Sequence, residues 1–527
     1  MNKITTIKAT QTLWLSQAQA FFDGGWVSPR YHWMAWTLSC LLLKKHFKRV
    51  QLITDEAGKR ILIDQLQLPY DSVELAMEQH KELISKSWVL VKLAGVASHS
   101  EPFLHVDGDL FLWECPSEEF LNSPLTAQHL EIGYPAYTLI LKSLKENNFI
   151  LPACMDSINH VIGINTGLLG GQEYGFFKRF FELVNQFYDQ NSELLQNAPN
   201  DSSIATFTEQ VLFQYQAQFE ELKIKTLIKP SFKGEHSHFN DLLNVGVDEN
   251  PALLTHLLGV LRQYLFSCKL MEFHLRYLFP EYHQRTNNWF DTLGFNSQEA
   301  HFEVPFSIEK HRTPEQWTHT HVEAALQHSY QRTIDLLKYW GISTNDPAAI
   351  ELSDFSHYHQ LSELQHRQLE DCRHYEHARK QRLEKAVIEK TLLGNEEFQR
   401  FVDYKALFKS HDAIQNLTIA PANEPLLTSR WNWHQLPSQQ DSTPVTSIYD
   451  LVIDHHSLHL QEFVLEPSKT GLLLTLTEPI TVEAFVQKTI TNHSDYWEKR
   501  GNKAIFDTLK ELYLKGFITF YKTRSLP

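Results

Sequence analysis

Through the first hundred or so residues, short strand-like runs alternate with helix-length segments, and this alternation limits the possible folds more than any other feature of the chain. Ile4 to Leu15 reads as an opening strand and turn, Tyr31 to Lys45 as a buried helix, and Val50 to Asp55 as a short strand ending on Thr54 and Asp55. Ile61 to Leu66 and Trp88 to Ala97 read as helices, and Phe103 to Val106 as a further strand. Strands separated by helices do not pair through tight hairpins. The order β-α-β-α-β therefore predicts an α/β domain with a mixed, mostly parallel sheet flanked by helices. Ligands of such sheets collect beyond the carboxyl ends of strands. Thr54-Asp55 and Asp107-Gly108-Asp109 both fall at such ends.

The second of these ends is chemically unusual. Phe103 to Trp113 reads Phe-Leu-His-Val-Asp-Gly-Asp-Leu-Phe-Leu-Trp, two carboxylates in a strongly apolar run. Alternate residues of an extended segment share a face, so Asp107 and Asp109 point the same way. Two buried like charges this close need a proton or a cation between them, and a hard divalent metal is the simplest compensation. Asp-x-Asp also occurs in ordinary turns, but turn aspartates sit among Ser, Asn, Pro and Lys, not among aromatic and aliphatic residues. A bound metal implies a ligand for it to hold, most simply a phosphate.

Two later segments supply groups that such a site lacks. Val161 to Gly171 reads as a strand running into a glycine-rich turn, with Asn165 and Thr166 polar in an apolar frame. Thr255 to Arg262 carries His256, Gly259 and Arg262, an imidazole that can complete a metal shell and a guanidinium that can grip a phosphate. Taken alone, the first is a tight turn and His256 an ordinary helix histidine.

Taken in order, these elements resemble the GT-A nucleotide-sugar glycosyltransferases, closest to the glycogenin-like and bacterial galactosyltransferase-like retaining families. They also resemble an uncharacterised bacterial glycosyltransferase-like family that carries a Thr-Asp strand, a Lys before the Asp-x-Asp strand, and His-Val-Asp-Gly-Asp itself. The resemblance spans about residues 1–285 and implies a GT-A-like fold, a nucleotide-sugar donor, UDP-linked by preference, and Mn²⁺ or Mg²⁺. It implies that Asp107 meets the ribose and metal, that Asp109 and His256 ligate the metal, and that Arg262 contacts the β-phosphate. Lys92, Thr54 and Asp55 would lie near the nucleotide, and Asn165 would face the sugar or acceptor. Relatives often carry Asp-Gln near the reacting sugar, where Phe207 to Phe213 offers Glu209 and Gln210. They usually carry Lys where Arg262 stands, which keeps the charge and alters the geometry.

The chemistry follows from that site. A metal on the departing diphosphate offsets the charge that develops as the anomeric carbon becomes oxocarbenium-like. A retaining enzyme needs little more than a group beneath the sugar, for which Gln210 or Glu209 is the candidate; an inverting one needs a carboxylate base. Both outcomes stay open, as do two other readings. One is a degenerate GT-A-like binding or scaffold protein. The other is a haloacid-dehalogenase-type phosphatase, which carries Asp-x-Asp on its first strand and a hydroxyl residue soon after, unlike Leu110-Phe111-Leu112.

At 527 residues the chain is long enough for two or three domains. Its net charge of −15 argues against a nucleic-acid or anionic-membrane surface. Five scattered cysteines without Cys-x-x-Cys spacing, a start with no secretory pattern and no apolar run of membrane-spanning length together suggest a cytoplasmic protein. The histidine pairs at 236/238, 319/321, 357/359 and 455/456 lack Cys or carboxylate partners at ligand spacing, and read as surface or packing residues.

Beyond the GT-A-like part, residues 286–415 read as a helical region, in which Ser353 to Lys390 is a solvated helix or hairpin acting as a spacer. Residues 416–447 read as a linker and 448–527 as a small α+β domain: strands at Tyr449 to Ile453 and Leu458 to Leu465, helices at Thr481 to Ile490 and Lys503 to Leu514, and a last strand at Phe517 to Tyr521. This order resembles the peptide-recognition winged helices of peptide natural-product pathways, in which a leader peptide adds as a strand. From Asp441 onward there are eleven acidic and nine basic residues, a balance unsuited to phosphate backbones. The resemblance implies a peptide or protein acceptor recruited by this domain.

Overall fold

A computed structural model describes residues 5–15, 22–76, 87–156, 158, 161–196, 201–229, 235–247, 252–293, 318–342, 350–351, 355–408, 417–422, 426–431, 433, 446–492, 497 and 501–522. The chain forms two compact units. Met1–Leu242, Ala252–Gln263 and His274–Leu293 make the first, and Leu243–Pro251, Tyr264–Phe273 and Gly294–Pro527 the second.

The first unit is α/β. Its strands in chain order are β1 (Thr5–Leu13), β2 (Phe47–Thr54), β3 (Ser72–Glu74), β4 (Phe103–Val106), β5 (Leu110–Leu112), β6 (Leu125–Glu131), β7 (Gly163–Gly171), β8 (Ile224–Thr226) and β9 (Leu254–His256). Seven of them form one sheet in the order β3-β2-β1-β4-β7-β6-β8. Pairing is parallel for β1 with β2, β1 with β4, β2 with β3 and β6 with β8, and antiparallel on both sides of β7. Only β7 runs against the rest, so the sheet is mixed and mostly parallel. The chain steps outward from β1 to β3 and then returns to β4 on the other side of β1, which puts a topological switch point between β1 and β4. Asp107 follows the last residue of β4 there.

Both faces of this sheet are covered, which explains the continuous apolar runs of β4 and β7. Phe103 and Leu169 join a core with Val89, Leu90 and Leu93 of α2 (Trp88–Ala97) and the phenylalanines of α4 (Tyr174–Gln190). Their strand neighbours Leu104 and Leu168 point the other way, into a core with Leu43 of α1 (Pro29–His46). Helix α1 is buried nearly all round, begins with Pro at its first turn and ends in Lys44, Lys45 and His46, the arrangement its dipole favours. Helix α3 (Pro135–Glu146) adds Tyr137, Leu141 and Leu144 to the first of these cores.

Two local expectations are corrected. The glycine-rich end of Val161 to Gly171 is not a turn: β7 runs through to Gly171. Added Cβ atoms at Gly170 and Gly171 would fall 2.2 Å from the carbonyl oxygens of Phe103 and Pro124, so glycine is required there by close strand approach. His256 stands on strand β9, not on a helix.

In the second unit, β10 (Thr318–His321), β12 (Leu427–Ser429), β13 (Ser447–Ile453) and β14 (His459–Val464) form a sheet in the order β10-β14-β13-β12. A second sheet runs β15-β11-β16, with β11 (Leu417–Pro421) between β15 (Ile480–Thr481) and β16 (Ile518–Lys522). Two described strands thus fall in the stretch read as a linker; its residues 416, 423–425, 432 and 434–445 lie outside the described ones. Helix α5 (Glu363–Ile388) opens with a capping box of Ser362 and Gln365. It is no bare spacer: Leu369, Cys372 and Tyr375 enter a core with Trp431, Trp433 and Tyr449.

Candidate active site

The site is assembled by backbone pairing before any side chain is considered. After β4 the chain turns through Asp107, Gly108 and Asp109 into β5, which pairs antiparallel with β9 so that Leu110 faces His256. The Leu257 amide donates to the Asp109 carbonyl at 3.0 Å, and the Asp107 amide to the Gly167 carbonyl at 2.8 Å. Gly108 lies under the indole of Trp36, where a Cβ would come within 2.3 Å. Sequence-distant groups therefore converge on the aspartates.

One donor atom each from Asp107, Asp109 and His256 lie within 4.8 Å of one another. His256 Nε2 is 3.2 Å from Asp109 Oδ1, and Arg262 Nη1 is 3.4 Å from Asp109 Oδ2. On its other side the imidazole meets the side-chain oxygen of Gln128, which faces Nδ1 at 2.9 Å. A carbonyl oxygen can only accept, so Nδ1 donates to Gln128, and with a cation between them a neutral ring would turn its Nε2 lone pair toward the aspartates. That is the tautomer a metal ligand needs, held by an outer partner. Gly167 makes the room, since a Cβ on it would lie 2.3 Å from His256 Cε1. Two carboxylates and one oriented imidazole suit a divalent cation.

The charges around the claw are arranged asymmetrically. Burial works to raise Asp109, but His256 and Arg262 outweigh it and hold its carboxyl well below the usual carboxylate range. Burial pushes Asp107 up to about 6 against the pull of Lys92, with Asp109 and Glu209 adding to the rise. Lys92, on α2, sits 2.7 Å from Asp107 Oδ1 and 2.6 Å from Glu209 Oε1, and donates to the Thr166 carbonyl at 3.0 Å. Burial opposes its charge, yet Asp107 and Glu209 hold its ammonium above the ordinary lysine range. Glu209 also accepts from the Thr166 hydroxyl at 2.7 Å.

A second polar cluster adjoins the first. Asn165 accepts from the Gly167 amide at 3.1 Å and donates to Glu131 Oε1 at 3.2 Å. The Tyr137 hydroxyl bonds Glu131 and lies 2.6 Å from Gln210 Oε1, and His129 Nε2 is 3.4 Å from Glu131. Burial works to raise Glu131, but the nearby His129 and the hydrogen bonds from Tyr137 and Asn165 leave it below its ordinary value. Glu209 and Gln210 lie on a single π-turn, Phe207–Val211, which places neighbouring residues in different clusters.

A profile described as a family of unknown function, DUF6734, matches residues 7–289, more than half of the 527-residue chain. The chain belongs to the DUF6734 family. The matched region of this DUF6734 protein contains all of the residues just described. No curated protein matches its sequence. The crystal structure of mouse xyloside xylosyltransferase 1 in its apo form aligns with 48% of this chain and 97% of that one, at 12% identity and a TM-score of 0.28.

Of the residues singled out from the DUF6734 sequence, Asp107, Asp109, His256, Arg262, Lys92 and Glu209 meet around the claw, and Asn165 and Gln210 meet at Glu131 and Tyr137. Thr54 and Asp55 stand at the carboxyl end of β2. Asp55 accepts from the Leu15 amide at 3.1 Å and the Gly58 amide at 2.8 Å, capping the helix Glu56–Lys59 and tying down the end of β1. Sequence reasoning passed over Gln128, His129, Glu131 and Tyr137. The strand of the first three, Leu125–Glu131, mixes polar and apolar residues and so carries no signal like that of Asp107 and Asp109 in their apolar run.

Proposed function

We propose that this DUF6734 protein is a metal-dependent glycosyltransferase that moves a sugar from a nucleotide-sugar, a UDP-sugar by preference, to an acceptor. The observation that carries the reading is the Asp107, Asp109 and His256 cluster with its Gln128-oriented imidazole and adjacent Arg262. An acidic claw that also carries a guanidinium suits a cation that brings its own anion. Bound Mn²⁺ or Mg²⁺ would offset the negative charge of the departing diphosphate.

The chain's own groups take complementary parts in this reading. Asp109, kept ionised by its neighbours, and His256, with Nε2 turned inward, would hold the ion together with Asp107. Arg262 would meet the distal phosphate, and Thr54 and Asp55 would shape the nucleotide end of the site. Lys92 offsets the charge shared by Asp107 and Glu209. Asn165 and Gln210, with Glu131 and Tyr137, would offer hydrogen bonds to the transferred sugar or the incoming hydroxyl. We further assign the acceptor to the peptide class. Support comes from the winged-helix-like order of residues 448–527, with helices Val482–Asn492 and Gly501–Leu514 beside the β15-β11-β16 sheet.

Calorimetry tests the core of the proposal. UDP-sugars are expected to bind the full chain with Mn²⁺ present and to weaken at least tenfold in Asp109→Ala. No heat from any UDP-sugar, or equal affinity in Asp109→Ala, overturns it. A donor-hydrolysis screen across nucleotide-sugars then identifies the sugar without needing an acceptor.

A further inference from the structure

His32 is a buried histidine with no role in the site described so far, 6% exposed and packed against the rings of Phe22, Trp33 and Trp36. Among the described residues neither ring nitrogen has a hydrogen-bond partner, although buried polar groups are nearly always paired. It lies on α1 one turn before Trp36, and residues four apart share a helix face. Trp36 covers Gly108, so this face of α1 looks onto the turn between the two aspartates.

The imidazole abuts the glycine pair Gly24-Gly25. A Cβ on Gly24 would come 2.3 Å from His32 Nδ1, and Gly24 has φ +56, so the position favours glycine twice over. Gly25 presents its open side to Arg262, whose Cζ lies 3.9 Å from where a Cβ would be, and Arg262 donates to the Gly24 carbonyl at 3.1 Å. The same short loop therefore touches both His32 and the guanidinium that flanks Asp109. Burial, reinforced by Arg262 and opposed by Asp109, pushes the His32 pKa down to about 3. The ring is neutral at physiological pH and has one N–H to give without adding charge.

We infer that His32 is a recognition residue for the distal phosphate of a bound nucleoside diphosphate, donating its N–H to a phosphate oxygen beside Arg262. This rests on the transferase reading and deepens it. An orphan donor next to an arginine, enclosed and close to an acidic metal cluster, is matched by an anion that arrives with its cation. The phosphate supplies the acceptor the imidazole lacks.

The test compares UDP with UMP, which lacks the distal phosphate, by calorimetry with Mn²⁺ on the full chain, its His32→Gln variant and its His32→Phe variant. The phenylalanine variant keeps the ring contacts with Phe22 and Trp33 and guards against a folding defect. UDP affinity is expected to fall about tenfold or more in His32→Phe, the size of a lost hydrogen bond to a charged partner, and less in His32→Gln, whose amide can still donate, with UMP and Mn²⁺ alone within about twofold of the parent. If the parent binds UDP and both variants match it, the inference fails while the transferase reading stands. Equal losses for UDP and UMP, or a loss of Mn²⁺ affinity, also overturn it. A parent that binds no UDP with Mn²⁺ removes both readings.

Discussion

Gln128 decides which nitrogen of His256 faces the two aspartates, and so has leverage on the proposed metal without touching it. Gln128→Leu is expected to weaken Mn²⁺ binding by about 10- to 100-fold with little change in fold, read by calorimetry and circular dichroism. Retained affinity would show that the tautomer is set elsewhere. Asp107 brings a pH dependence. Its pKa of about 6 lies above the ordinary aspartate value, so the proton competes with the metal, and affinity should fall as pH falls through about 6, by up to about tenfold per unit. For the metal-free protein the sign reverses. A raised carboxylate favours folding below its unfolded value, and that contribution is lost as pH rises from about 4 to about 6. Thermal melts with and without Mn²⁺ across pH 5 to 7.5 should therefore diverge upward.

Among the elements, β7 has the most demands on it. Its register against β6 shifts between Ala127 and His129, and bulges of this kind re-aim side chains near functional sites. Through that irregularity Gln128 and Glu131, three apart, both reach polar groups of the site. Gly167→Ala is expected to displace His256 and abolish measurable Mn²⁺ binding while the melting temperature moves by only a few degrees. An unaltered metal affinity would count against the packing described. The same strand shows what could be read from sequence. Asp107, Asp109 and Asn165 announced themselves as polar residues in apolar runs. Nothing local tells that Leu110 pairs with His256, or that Tyr137 of α3 bonds Glu131 and Gln210, because those meetings depend on long-range pairing. The β-α-β-α-β order was legible because the helix and strand periods differ within each segment. The glycines of β7 were misread as a turn because close strand approach leaves the same residue signature as a bend.

At the scale of the whole molecule, the two units depend on charge in different ways. The second unit encloses Glu462, 2% exposed, between Arg332 at 2.7 Å and Arg379 at 2.6 Å, with the Tyr375 hydroxyl as a further partner. Removing one member of such a network leaves buried charge without its partner, so Glu462→Ala should cost roughly 3–5 kcal/mol by chemical denaturation. A loss under about 1 kcal/mol would mean that water reaches the cluster. The sequence hid this because α5 looks solvated by composition, whereas its Tyr375, Glu376 and Arg379 turn inward. In the claw of the first unit Lys92 and Arg262 offset the charge of Asp107, Glu209 and Asp109 only in part, and the proposed metal would supply the rest.

The pairing of β5 with β9 gives that metal a mechanical part. Asp109 and His256 are 256 − 109 = 147 positions apart in the chain, and an ion held by both ties those points as a reversible cross-link. Closing so long a loop is entropically costly, and a clip across it limits how freely the later segment can detach. Metal-free protein should then exchange the backbone hydrogens of residues 254–262 for deuterium sooner than those of β4, and Mn²⁺ should slow that exchange. The ion proposed to offset the charge of a departing phosphate would also act as the latch that keeps the far wall of the site closed.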